Sequence, residues 1–325
     1  MRSQNFKLPG LFRSLSVVMF ALTILAFGQS EARISGIVKD QTGAVIPGAT
    51  VTVKNERTGD VRTATSNQDG SFAVTNLKPS SYSVSISSAS FAKTDYTNVE
   101  LVVGQELNLG VELKPVGASE TVNIVGGDDV ALDSSSARMG ANVNQREVGG
   151  LPLNGRQLSQ LYLQAPGALN SGSGTFGDIR FSGRAVQQNA IRYDGVEGSA
   201  IIDASPGNLN GEIPSPFRLQ ASLENVQEFR VDSNSYPAEY GTGTGGQVSV
   251  VTKSGGNEYH GSVFEYLRND KLDSRNWFDR GTKSPLRLNQ FGASLGGAIV
   301  KDKLFFFGSY EGYRLRSGIN FFEAV

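Results

Sequence analysis

Two consecutive runs near the C-terminal side, Asn289–Ile299 and Leu304–Tyr313, change side-chain character at every second residue, and this constrains the fold more than any other feature of the chain. Period two marks a β-strand, because successive side chains leave opposite faces. A tight turn at Lys301-Asp302 joins the runs, and pairing Ile299 with Leu304 sets the register. One face then carries Phe291, Ala293, Leu295, Gly297 and Ile299 opposite Gly312, Tyr310, Gly308, Phe306 and Leu304, with no charge. The other carries Gln290, Gly292, Ser294 and Gly296 opposite Tyr313, Glu311, Ser309 and Phe307. Each strand has about ten residues, the length a tilted strand needs to cross a bilayer. The pattern is that of a membrane-barrel hairpin, and a soluble sandwich hairpin is the competing reading of the same alternation. Glu258–Arg268 is expected as the preceding strand. The long polar stretch Asn269–Asn289 after it reproduces the long and short connections of outer-membrane barrels.

Composition argues against catalysis. The 325 residues, enough for two or three domains, include no Cys and one His, His260. Disulfide frameworks, thiol nucleophiles and Cys/His zinc sites are thereby excluded, and no metal or cofactor is expected. Lys+Arg 30 against Asp+Glu 31 gives a net charge of -1, which removes the basic signal of a nucleic-acid-binding protein. Arg2, Lys7 and Arg13 precede the apolar run Leu15–Phe27, and Ser30-Glu31-Ala32 follows as a small-x-small signal. This predicts a secretory signal peptide over residues 1–32, cleaved after Ala32. A membrane anchor is the competing reading, but about 13 apolar residues fall short of the ~20 required to span a bilayer. With no Cys after the run, lipid anchoring is not expected.

From Ile34 to Leu113, turn signals at Gly43, Pro47-Gly48, Thr58-Gly59, Asp69-Gly70 and Lys78-Pro79 fall at strand-length intervals, as in a small β-sandwich. Val51/Val53, Phe72/Val74, Tyr82/Val84/Ile86 and Leu107/Leu109/Val111/Leu113 supply its predicted core. Ser35-Gly36-Ile37-Val38 with Asp40, Ile46-Pro47-Gly48-Ala49, Asn67-Gln68-Asp69-Gly70-Ser71-Phe72 and Leu77-Lys78-Pro79 with Tyr82 resemble the carboxypeptidase regulatory-like domain. The resemblance implies a transthyretin-like sandwich and an accessory role without peptidase activity.

Lys114–Ala118 then reads as a linker, and the acidic, small-residue stretch 126–136 as flexible. Helices are expected around Arg146–Gly149 and Gln157–Leu163, and strands at Ile179–Ser182, Ala190–Tyr193, Val226–Val231 and Gln247–Thr252. The Gly/Ser/Pro/Asn tract Asp194–Pro216 is too long for an ordinary compact loop. Gly241-Thr242-Gly243-Thr244-Gly245-Gly246 satisfies G-x-G-x-x-G, yet an alternating strand follows where a phosphate-cradling loop would open a helix. Asp128, Asp129 and Asp133 lack the ligand spacing of a calcium loop and read as solvated charges.

Between these segments lies Glu120-Thr121-Val122-Asn123-Ile124-Val125, a strand-forming sequence in a linker, suited to adding to the sheet edge of another protein. One more strand of the sandwich is the competing reading. The segment resembles a TonB box. Leu151-Pro152-Leu153-Asn154-Gly155-Arg156, Phe181-Ser182-Gly183-Arg184, Tyr193-Asp194-Gly195, Val226–Val231 and Ala238-Glu239-Tyr240-Gly241 through Lys253 resemble the plug of a TonB-dependent outer-membrane receptor. Gly261–Tyr266 and Arg275-Asn276-Trp277-Phe278-Asp279 are similar to the first barrel segments of the Oar-like branch.

The expected fold is mainly β: a transthyretin-like sandwich at 33–115, a linker with the box at 116–136, an α+β plug at 137–256, and the first strands of an incomplete transmembrane barrel at 257–325. The resemblance implies the N-terminal part of an active transporter in the outer membrane, with the sandwich in the periplasm. Its implied partners are a TonB-type energy-coupling protein at Glu120–Val125, outer-membrane lipid and an unnamed small or polymeric substrate. No enzyme activity and no nucleic acid are expected. Members of that family close a barrel of many strands, so a truncated frame or fragment is expected here. The alternative from another class is a secreted or surface adhesive, carbohydrate-binding sandwich protein.

Overall fold

The computed structural model describes residues 32–115, 120–123, 137–151, 153, 156, 158–170, 179–198, 222–236, 240, 243–275 and 283–318. The first strands are β1 (Ala32–Asp40), β2 (Thr50–Asn55), β3 (Val61–Thr65), β4 (Ser71–Leu77), β5 (Ser80–Ser87), β6 (Thr94–Leu101), β7 (Glu106–Leu113) and β8 (Glu120–Asn123). They form two sheets, ordered β4-β1-β7 and β3-β2-β5-β6-β8. The alternating residues meet between them: Val51, Val53, Phe72, Val74, Tyr82, Val84, Ile86, Leu109, Val111 and Leu113 are buried in one core with Ile34 and Val38, while Leu107 is only partly covered. The turns follow the expected chemistry. Asp40 accepts the backbone N–H groups of Thr42 and Ala44 around Gly43 at φ 85°. β1 begins at Ala32, which is buried and pairs with Leu77, so the strand starts one residue before the expected cleavage point. Residues 1–31 of the expected leader, the acidic linker 126–136 and residues 199–216 of the long tract lie outside the described residues.

The middle part contains β9 (Met139–Val143), a helix α1 (Gln145–Gly150), β10 (Ala168–Asn170), β11 (Ile179–Phe181), β12 (Ala190–Tyr193), β13 (Val196–Glu197), β14 (Val226–Asn234) and β15 (Gln247–Thr252). A mixed sheet, ordered β13-β12-β15-β14-β9, stands beside a β10-β11 hairpin. α1 starts where it does because Asn144 accepts the N–H groups of Arg146 and Glu147, while Glu147 Oε2 accepts the Asn144 N–H at 2.8 Å. The second expected helix is a 3-10 helix, Leu158–Gln164, cut short before Pro166-Gly167. It places Tyr162 edge-on to Phe229, with ring centroids 5.1 Å apart, in a core with Phe181, Ile191, Val248 and Val250.

Three antiparallel strands complete the described chain: β16 (His260–Asn269), β17 (Leu286–Val300) and β18 (Leu304–Ser317). β17 and β18 run longer than their alternation suggested, whereas β16 starts two residues later than expected and ends one residue further on. The expected register holds from Phe291↔Gly312 to Gly297↔Phe306. The pairing at the turn differs: a bulge between Ala298 and Val300 makes Val300, not Ile299, the partner of Leu304. The connection is therefore the three residues 301–303, with Asp302 at φ 60° absorbing the reversal. These three strands do not close a barrel.

Candidate functional site

Glu120–Asn123 of the expected partner-binding segment form β8, parallel to Thr94–Thr97 of β6 at the edge of the five-stranded sheet. Ile124 and Val125 lie outside the described residues. The backbone of Glu120–Asn123 is thus in strand conformation, with β6 as its one neighbouring strand among the described residues. A four-residue parallel pairing is a light hold, since each backbone hydrogen bond contributes only about 1 kcal/mol net.

The sandwich meets the middle sheet through polar contacts that no local pattern announces. Arg57 donates through Nη1 to Gln227 Oε1 at 3.3 Å and through Nη2 to Ser254 Oγ at 2.9 Å, and its carbonyl accepts the Asn257 N–H at 3.0 Å. Gln227 Nε2 donates to the Pro79 carbonyl at 3.2 Å. Asn257 also donates to Asp302, so the 301–303 turn lies on the sandwich side. At the centre, the Val103 N–H donates to the carboxyl of Glu228, which is 6% exposed.

Burial pushes the Glu228 carboxyl up to about 7, with Glu100 adding to the rise and the Val103 N–H and Arg57 opposing it. A carboxyl that titrates higher folded than unfolded stabilises most below its unfolded value, and that contribution is lost as pH climbs through about 7. Between pH 4.5 and 8, Glu228 should therefore lower unfolding free energy by an amount on the order of 2 kcal/mol. Glu228→Gln, which keeps the acceptor for Val103, should flatten this slope and leave the variant more stable than wild type at pH 8. Denaturant midpoints at both pH values check it; parallel curves for the two proteins would refute it.

A second polar cluster joins the middle part to the strands of the hairpin. Arg156 Nη2 pairs with Glu224 Oε1 at 2.8 Å, with the two side chains only 12% and 14% exposed, and its guanidinium lies 4.3 Å from the Phe264 ring centroid and 4.8 Å from that of Tyr266. Glu224 Oε2 accepts from Ser262 Oγ at 2.8 Å, and Ser262 in turn meets Ser294 at 2.8 Å. Ser222 and Gln290 donate to Glu311, and Ser309 donates to Asn225. Burial works to raise the Glu224 carboxyl, but hydrogen bonds from Ser262 and Arg156 and the charges of Lys253 and Arg156 outweigh it and hold it below the usual range. The face expected to look inward, with Ser294, Ser309 and Glu311, is the face that docks on this cluster. Leu295 and Tyr310 point the other way and are exposed.

The glycine run 241–246 leads into β15, with no helix after it among the described residues. A Cβ on Gly246 would stand 2.3 Å from the Phe181 ring, and its N–H donates to Asn189 Oδ1 at 2.9 Å. Close packing accounts for glycine here. His260 is an exposed side chain at the start of β16, and Asp128, Asp129 and Asp133 lie outside the described residues.

Two family models match the chain: the carboxypeptidase regulatory-like domain at residues 33–114 and the outer membrane beta barrel domain at 251–325. They define a class, an outer-membrane β-barrel chain with a carboxypeptidase regulatory-like domain before the barrel strands. Its place is the outer membrane. The particular relative is the TonB-dependent transporter Oar of Myxococcus xanthus, 28% identical over 310 residues and 88% of this chain. The chain is thus similar to Oar, the resemblance its motifs carried, and it spans 27% of that relative's length. Among solved structures, the siderophore receptor PirA from Acinetobacter baumannii is 24% identical, covering 55% of this chain and 25% of its own, with a TM-score of 0.39. Catechol 1,2-dioxygenase from Acinetobacter radioresistens is 13% identical, covering 29% of this chain and 58% of its own, with a TM-score of 0.23. Both scores are too low to carry a functional argument. The sequence relative is named as a transporter.

Proposed function

We propose that the chain is the N-terminal part of a TonB-dependent outer-membrane transporter, in which Glu120–Val125 is captured by a TonB-type energy-coupling protein. Residues 137–256 act as its plug, and 257–325 supply the first strands of the barrel wall, with the sandwich in the periplasm. The observation that carries this reading is the docking of Arg156, Ser222, Glu224 and Asn225 on the inward face of β16–β18. Such a contact is held by hydrogen bonds and by the Arg156 guanidinium against the rings of Phe264 and Tyr266, and the hydrogen-bonding groups can be taken over by water when the plug is pulled, whereas an apolar seam would resist wetting. No enzyme activity is assigned. Substrate passes through the completed barrel, energy enters at the box, and neither requires a reacting side chain.

β8 shows the strand conformation that edge addition uses, and its pairing with β6 must be exchanged for pairing with the partner. The full-length protein should be retained by the immobilised C-terminal domain of the TonB-type protein, and deletion of residues 120–125 should abolish retention. Equal retention with and without the segment would reject the assignment. A surface adhesin built on the sandwich would instead show no retention at all and bind glycans.

A further inference from the structure

The face of β16–β18 that turns away from Glu224 and Asn225 carries charge at one end only. Its last pairing row sets Arg287 beside Arg316, the next sets Asn289 beside Arg314, and the third sets Glu265 beside Phe291. From Val263, Ala293 and Tyr310 onward the rows are uncharged through Leu295 to the bulge at Ile299. Arg287, Arg314 and Arg316 are exposed, and none forms a salt bridge among the described residues. The Arg314 guanidinium lies 5.9 Å from the Phe291 ring centroid, which tethers it at the border of the apolar rows. These arginines sit at the end of the sheet remote from the 301–303 turn, and so from the sandwich.

The spacing matches a bilayer. Eight steps along β17 from Phe291 to Ile299 at ~3.4 Å each, tilted by ~40°, give a band about 20 Å tall, close to the ~25 Å lipid-facing band of such barrels, with Glu265 beside Phe291 at its border as its one charge. The arginine rows then fall at the level of the headgroups. Guanidinium forks fit phosphate oxygens bidentately, and three positive charges against the single Glu265 select an anion.

We propose that Arg287, Arg314 and Arg316 form an outward-facing site for the phosphate of anionic lipid headgroups, in the leaflet remote from the sandwich. The site rests on the membrane reading of this hairpin. The test is native mass spectrometry of the full-length protein in detergent with added phosphatidylglycerol or zwitterionic phosphatidylcholine, with inorganic phosphate as competitor. Wild type should retain phosphatidylglycerol about tenfold better than phosphatidylcholine, and the triple Arg→Gln variant at 287, 314 and 316 should lose that preference. Arg268→Gln, a charge loss on the inward face, should keep it. Equal retention of phosphatidylglycerol by the triple variant and wild type would overturn the headgroup site while leaving the membrane reading intact. Displacement by millimolar inorganic phosphate would overturn it in favour of a free-anion site. Absence of both lipids from wild type would overturn the site together with the membrane reading.

Discussion

Val122→Pro in the full-length protein should reduce capture by the energy-coupling protein by one to two orders of magnitude while plug and barrel stay folded. Proline removes the backbone N–H and fixes φ, so at least one ladder bond is lost and the strand bends away from its new neighbour. Two lost bonds at about 1 kcal/mol each already amount to roughly thirtyfold. The same change weakens the pairing of β8 with Thr94–Thr97, so the segment should become more susceptible to protease even as its affinity for the partner falls. That opposition separates a lost binding strand from a merely hidden one. Val122→Thr, which keeps the N–H and the β-branch, should bind nearly as wild type. Capture of the proline variant at wild-type strength would show that the partner reads something other than this strand.

Leu295→Arg should cost about 2–4 kcal/mol of folding stability in lipid, against little for Ser294→Asn one residue away. Leu295 is 53% exposed on the outward face, which the proposed barrel turns to the bilayer, whereas Ser294 faces inward and already meets the hydroxyl of Ser262. Folding yields of the two variants of the full-length barrel in lipid vesicles check this. Equal yields, or a larger loss at Ser294, would reverse the assignment of faces.

These faces were legible because β17 and β18 write their environments at period two, and the observed register from Phe291 to Gly297 follows that pattern. The bulge at Ile299 was not, since an extra residue beside a turn leaves the alternation on either side intact. β9 also escaped notice: Met139-Gly140-Ala141-Asn142-Val143 has too little contrast between alternate residues, and the strand exists because it pairs with β14. Gln227 and Glu228 are consecutive polar residues that alternation sends to opposite faces of the strand, yet contacts with Arg57 and Val103 bury both. The Arg156–Glu224 pair joins residues from separate segments, which no local spacing encodes. For Glu120–Val125, both readings of the residues bear on one place: Glu120–Asn123 form a strand at the edge of the sandwich, and leaving that edge is the step that would make the segment available.

The residues from Met1 to Val325 contain no cysteine, so single cysteines introduced at 120, 121, 122 and 123 report without background from this stretch. In cells, each is oxidised in the presence of a TonB-type protein carrying one cysteine on the exposed edge of its C-terminal sheet. Capture by strand addition predicts disulfide-linked complexes whose yield alternates along these positions, strongest where side chains face the partner cysteine, and lost when Pro stands at a neighbouring position. No linked complex at any of the four positions, with the partner present and the barrel in the outer membrane, would contradict the role assigned to this segment.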